Sequence, residues 1–143
     1  MAMLTARNTE AHWFVITHED SQKTVMTDPP IGHGGEGASF PPVDLAVAAL
    51  LSCTGTVIMI KAASLHLDTY GMSMSADYTM AEAPTRIAAC DMRIAIPGHP
   101  DARQKRSLML ATKACPVRNS LHPDIAISIT FAWADGTTDI MAE

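Results

Sequence analysis

One stretch dominates the hydrophobic pattern: Pro41 to His66, where apolar residues run almost without a break. Pro41 and Pro42 suit the first turn of a helix, where a missing N–H costs nothing, and would break a helix further in. Ser39, just upstream, stands where a cap is expected. From Val43 to Leu65 the only charges are Asp44 and Lys61, near the two ends. The pattern predicts one long helix of on the order of 35 Å at about 1.5 Å per residue. That would cross a domain whose radius of gyration is roughly 14–15 Å. Its apolar residues go nearly all the way round, so it is expected to be buried or membrane-spanning. Asp44, Ser52, Thr54, Gly55 and Thr56 interrupt the run, and no unbroken apolar span of about 20 residues remains. Burial is therefore expected. A chain of 143 residues offers limited cover for such a helix, and a second copy is expected to supply some of it. Gly55 costs about 1 kcal/mol against alanine in mid-helix. It marks either the close passage of another backbone near Cys53 or a neutral position.

Elsewhere the rhythm is that of strands. Leu4 to Arg7, His12 to Thr17 and Lys23 to Met26 read as short strands bounded by polar residues. Asp28 to Phe40, with four glycines and two prolines, is a loop leading into the long helix. It carries His33 and Glu36, and loops set by a rigid element often carry function. Leu67 to Met80 alternates, with Tyr70, Met72, Met74, Ala76, Tyr78 and Met80 on one face. After a turn at Ala81 to Thr85, Arg86 to Ile96 returns with Ala88, Cys90, Met92, Ile94 and Ile96 inward. Pro97 to Ala114 reads as an amphipathic helix, Asp101 near its start suiting the dipole and Lys105 and Arg106 in solvent. Pro116 predicts a fresh helical turn with Cys115 as N-cap. Ile125 to Trp133 alternates as a last strand, ended by Asp135-Gly136. The order β-β-β-α-β-β-α-α-β, with hairpin-like neighbours, predicts an α+β fold with mainly antiparallel sheet.

Composition narrows the class. The length fits a single domain spanning 1–143, and 48% hydrophobic residues suffice for a core. A net charge of −5 with scattered lysines and arginines speaks against a nucleic-acid partner. MAMLTARNTEAHW has no apolar core of a signal peptide. Three cysteines without a CxxC argue against a disulfide scaffold or a zinc knuckle. A reduced, cytoplasmic setting is expected, where a paired thiol is catalytic or redox-active rather than structural. The six histidines form no HxH or HxxxH pair, so no metal site is expected. A thiol–histidine nucleophile using His33 or His122 stays open.

Cys90 has a sufficient explanation as a small core residue. Cys53 and Cys115, some sixty residues apart, remain. They are either a dithiol, one thiolate attacking and the other resolving, or two buried structural cysteines. Local sequence makes Cys115 the more acidic, with a helix N-terminus ahead of it and Lys113 and Arg118 nearby. Cys53 sits in mid-helix among apolar groups, which raises a thiol pKa.

FPPVDLAVAALLSCTGTVI followed by LATKACPVRNSL resembles the OsmC/Ohr family, the osmotically inducible protein C and organic hydroperoxide resistance proteins. The resemblance rests on Pro42 ahead of an alanine-rich helix carrying Cys53, on Cys115-Pro116-Val117 opening a short helix, on the glycine-rich approach, and on the strand order. It implies an intertwined homodimer whose long central helices pack together. It implies a peroxidatic Cys53 and a resolving Cys115 that reduce an organic hydroperoxide through a sulfenic acid and a disulfide. The disulfide would be reset by a dithiol reductant, lipoyl-type in this family, with no metal or flavin cofactor. The hydroperoxide-resistance branch places a glutamate directly after the proline, where this chain has Val43, and pairs it with an arginine absent from Asp28 to Phe40. Asp44 falls half a turn out of phase with Cys53, and Arg7 is the only arginine of the N-terminal region. The chain is thus similar to the general OsmC-like branch. Two alternatives accompany that reading: the same fold binding a hydrophobic ligand, and a thiol redox sensor without substantial peroxide turnover.

Overall fold

The computed structural model describes residues 3–142. The chain forms two compact units, the first ending at Ala46 and the second beginning at Val47. The first holds β1 (Leu4–Asn8), β2 (Phe14–His18) and β3 (Lys23–Thr27), an antiparallel sheet in that order. The three strands fall where the sequence placed them. The loop that follows contains one 3-10 turn, Ile31–His33, and closes with a bridge between Thr27 and Phe40. It is built around Asp28, fully buried, whose carboxylate accepts the amides of Glu36 at 3.0 Å and Ala38 at 2.8 Å. Gly35 is required there, because a Cβ would lie 1.6 Å from the carbonyl oxygen of Pro29. Ser39 does not cap the long helix. Its hydroxyl donates instead to the carbonyl of Met26 at 2.6 Å, tying the loop to β3.

Helix α1 runs Pro42–Ser64, with Pro42 in its first turn. Its buried residues, Val47, Leu50, Thr54, Gly55, Ile58 and Ala62, recur at three- and four-residue spacing and form one stripe. Within the single chain the helix is therefore buried along one side only, and Met59 and Ile60 are 53% and 66% exposed. By length and composition alone α1 is apolar enough to cross a bilayer. The packing of its stripe into the core is what the central helix of a globular domain does.

The second unit carries a four-stranded sheet in the order β4 (Ser73–Glu82), β5 (Thr85–Ile96), β6 (Ala126–Trp133), β7 (Thr138–Ala142). Cys90, Met92, Ile94 and Ile96 from β5 and Ile127, Ile129, Phe131 and Trp133 from β6 join the α1 stripe and Leu108 in one core. Strands β5 and β6 are parallel, linked by α2 (Ala102–Ala111), a 3-10 turn (Thr112–Ala114) and α3 (Pro116–Ser120). One connection is thus a βαβ crossover, where only hairpin-like neighbours were expected; a parallel pair needs such a crossover.

One inward assignment fails at a bulge. The register shifts between Thr79 and Met80, which pair with Ala89 and Ile87 and leave Ala88 over. The extra residue reverses the alternation of β5. Ile87 rather than Ala88 packs on the core, and Met80, paired with Ile87, shares its face but is 43% exposed. Tyr70 is not on a strand at all. It lies in a turn ahead of β4, 92% exposed, its amide bonded to Asp68. Gly55 meets side chains rather than a backbone: a Cβ there would lie 2.6 Å from the Met74 methyl. Lys105 is not simply solvated. Its Nζ lies 2.6 Å from Asp135 Oδ2, 3.0 Å from Thr137 Oγ1 and 5.2 Å from the centre of the Trp133 ring. Asp101 caps α2 in a reciprocal pair with Gln104.

Candidate active site

Cys53 sits midway along α1, half-buried, on the flank of the stripe that enters the core. Cys115 is fully buried at the N-cap of α3, with Pro116 as the first helical residue. Proline fits there because its missing N–H has no intrahelical partner to lose. The Cys115 Sγ accepts the amide of Arg118 at 3.4 Å, as an N-cap side chain does. Two residues remote in sequence thus come close enough for each thiol to shift the acidity of the other. Neither is in a disulfide.

Their nearness splits their acidities. The Cys53 thiol is pushed up, chiefly by its interaction with Cys115, and the Val117 amide offsets only part of this. Burial pushes the Cys115 thiol up as well. Hydrogen bonds from Cys53, the Arg118 amide, the Thr54 hydroxyl and the Val117 amide outweigh it and hold Cys115 below the ordinary thiol value. The expectation that Cys115 is the more acidic thiol agrees with this direction. The cause is directed hydrogen bonding rather than the neighbouring cations alone. The pair titrates as a unit, with Cys115 its more acidic member. Cys90 is apart from it, fully buried on β5, its thiol pushed up by burial and then by Asp91 and Asp77.

Thr54 is the site residue that the sequence pattern does not announce. Its hydroxyl donates to Cys115 Sγ at 3.8 Å. A signal was present: its neighbours one turn either way, Leu50 and Ile58, are core residues, so a hydroxyl in phase with them must find a buried acceptor. Arg7 is exposed on β1 opposite Val15. His33 is exposed in the 3-10 turn, and Glu36 contributes its amide to Asp28. His122 pairs with Asp124 at 3.7 Å. Among the described residues of the second unit, no histidine is a partner of either thiol, and among all the described residues no group of three His, Cys, Asp or Glu could hold a metal ion. An open groove of about 500 Å³ is lined by Val57, Ile60, Leu110, Ala111 and Ala114, with Lys61 on its wall; Val57 stands one turn beyond Cys53 and Ala114 precedes Cys115 in the chain, but neither thiol lines it.

The chain belongs to the OsmC-like protein family, which it matches over residues 34–130. Among solved structures it is similar to a protein of Psychrobacter arcticus 273-4 described in terms of osmotic stress and a detoxification response. That match has 27% identity and a TM-score of 0.87 over 92% of this chain and 96% of that one. It has the fold of an OsmC-like protein from Mycoplasma pneumoniae, at 14% identity and TM-score 0.79 over 93% and 96% of the two chains. It also has the fold of an organic hydroperoxide resistance protein OsmC from Legionella pneumophila, at 16% identity and TM-score 0.74 over 92% and 96%. No curated protein matches the sequence.

Proposed function

We propose that this chain is a single-domain, cytoplasmic, homodimeric thiol peroxidase that reduces organic hydroperoxides through a Cys53–Cys115 dithiol/disulfide cycle. The observation that carries the reading is the nearness of the two thiols, each of which shifts the acidity of the other. Cys53 is the accessible member and Cys115 the buried one, so peroxide meets Cys53 first. Cys115, the more acidic thiol, acts in its thiolate form as general base for the Cys53 proton while Cys53 attacks the terminal peroxide oxygen. The O–O bond breaks, Cys53 becomes a sulfenic acid, and the alkoxide leaves and takes the proton back from Cys115 as the alcohol. The restored Cys115 thiolate then attacks the Cys53 sulfur, forming the S–S bond and releasing hydroxide. A dithiol of lipoyl type reduces the disulfide by exchange and becomes a disulfide itself. A homodimer is supported by the exposed side of α1, where Ala49, Met59, Ile60 and Ala63 face outward.

A second reading, carriage of an apolar ligand without thiol cycling, is favoured by the groove between α1 and α2. Peroxide consumption by the Cys53→Ser variant separates the two. The peroxidase reading expects loss of turnover with cumene hydroperoxide and a dithiol. Undiminished turnover, or none in the parent protein, contradicts it.

A further inference from the structure

The hydroxyl-bearing residues of α1 do not all behave alike. Ser52, Thr56 and Ser64 turn their hydroxyls back onto helix carbonyls, those of Ala49, Ser52 and Lys61, the common resting place for such side chains. Thr54 does not. It is fully buried, with apolar residues one turn on either side, and it sends its hydroxyl off the helix to Cys115 Sγ. A packing role at this position would be met as well by valine, which has the same shape and no hydroxyl to satisfy. A buried hydroxyl aimed at a sulfur that is also receiving the Arg118 amide is an arrangement for an acceptor that carries charge, since sulfur accepts weakly unless it is a thiolate.

We propose that Thr54 is the positioning residue of the thiol pair: its hydroxyl holds Cys115 Sγ as an anion aimed at Cys53, so that the buried thiolate is ready to displace the sulfenic oxygen. This rests on the peroxidase reading for its catalytic meaning, and on hydrogen-bond geometry for its physical content. Cys115 is ringed by donors from two elements, Thr54 and Cys53 from α1 and the backbone amides of Val117 and Arg118 from α3. The titratable and charged groups about it are Cys53 on α1 and, on either side of it in the chain, Lys113 and Arg118. In the assisted step the Cys115 thiolate lone pair forms the S–S bond, the Cys53 S–O bond breaks, and hydroxide leaves. The Thr54 proton stays on its oxygen throughout.

The test compares Thr54→Val, which keeps shape and removes the donor, with Thr54→Ser, which keeps the donor and trims a methyl group. The first readout needs no peroxide. Thiolate absorbance at 240 nm is followed against pH, with the Cys53→Ser/Cys115→Ser protein subtracted as background. Thr54→Val is expected to move the first ionisation of the pair to higher pH, and Thr54→Ser to restore it. The second readout is disulfide formation after a single equivalent of cumene hydroperoxide. It is expected to slow roughly three- to tenfold in Thr54→Val at neutral pH, the weight of one such hydrogen bond, and less as pH rises. Unchanged titration in Thr54→Val overturns the proposal, as do equal shifts in the two variants, which would mean shape and not the hydroxyl. A shifted titration in a protein whose parent is inert to peroxide would leave the Thr54 assignment standing and remove the peroxidase reading instead.

Discussion

Replacing Gly55 by alanine sets two effects of known sign against each other. Alanine is better than glycine in a helix interior by about 1 kcal/mol, so the bare substitution should stabilise α1. The new Cβ would lie 2.6 Å from the Met74 methyl, 3.2 Å from its sulfur and 3.5 Å from the Met72 methyl. Overfilling a packed site costs about 1–3 kcal/mol. Methionine is flexible and the closest atom is the end of its chain, so the low end to the middle of that range applies. Gly55→Ala alone should therefore lower stability by about 1 kcal/mol net. Met74→Ala alone should cost about 1–3 kcal/mol, since Met74 is only half-buried. In the Met74→Ala background the obstruction is gone, and Gly55→Ala should now raise stability by about 1 kcal/mol. The coupling of roughly 2 kcal/mol between the two sites is the quantity to read, by urea unfolding of all four proteins at one protein concentration. An equal effect of Gly55→Ala in both backgrounds would refute the claim that Met74 is what the glycine makes room for.

Two further outcomes follow from the same geometry. Asp101→Ala removes the side chain that accepts the Gln104 amide at 2.8 Å and should cost about 1 kcal/mol in urea unfolding, with the fold unchanged by circular dichroism. Cys90 is held above the ordinary thiol value, so the native state keeps its proton longer than the unfolded chain does. The stability this gives is complete below the unfolded thiol pKa of about 8.5 and is lost as pH rises towards the folded value. Cys90→Ala should lose stability at neutral pH by leaving a small cavity, yet show a shallower alkaline decline. An equally steep decline would show that the thiol is not its source.

What the sequence disclosed and what it hid divide along physical lines. The inward faces of β5 beyond Asp91 and of β6 were legible because alternation over a half-buried strand has a strict period of two. Ala88 broke that reading at a bulge in β5, which no local residue type announces. Strand β7 was missed altogether: Thr138–Ala142 is short and mostly exposed, with Ile140 68% exposed, so it has no buried face to write into the sequence. Apolar residues all round α1 announced a demand for cover, and the single chain meets it on one side. The thiol pair could be suspected from the family resemblance and the greater acidity of Cys115 from its place at a helix start, but the part that Cys53 and Thr54 play in that acidity depends on α3 meeting the middle of α1. Thr54 was read as a polar interruption of an apolar run because its partner lies some sixty residues away.

The central claim is that Cys53 and Cys115 form a working dithiol. The most direct measurement is the intact mass of the reduced protein seconds after one equivalent of cumene hydroperoxide, followed by mapping of the cysteine peptides. A loss of two mass units, with a Cys53–Cys115 disulfide and a free Cys90, is the predicted result. Unchanged mass, or slow oxidation spread over all three thiols, would contradict it.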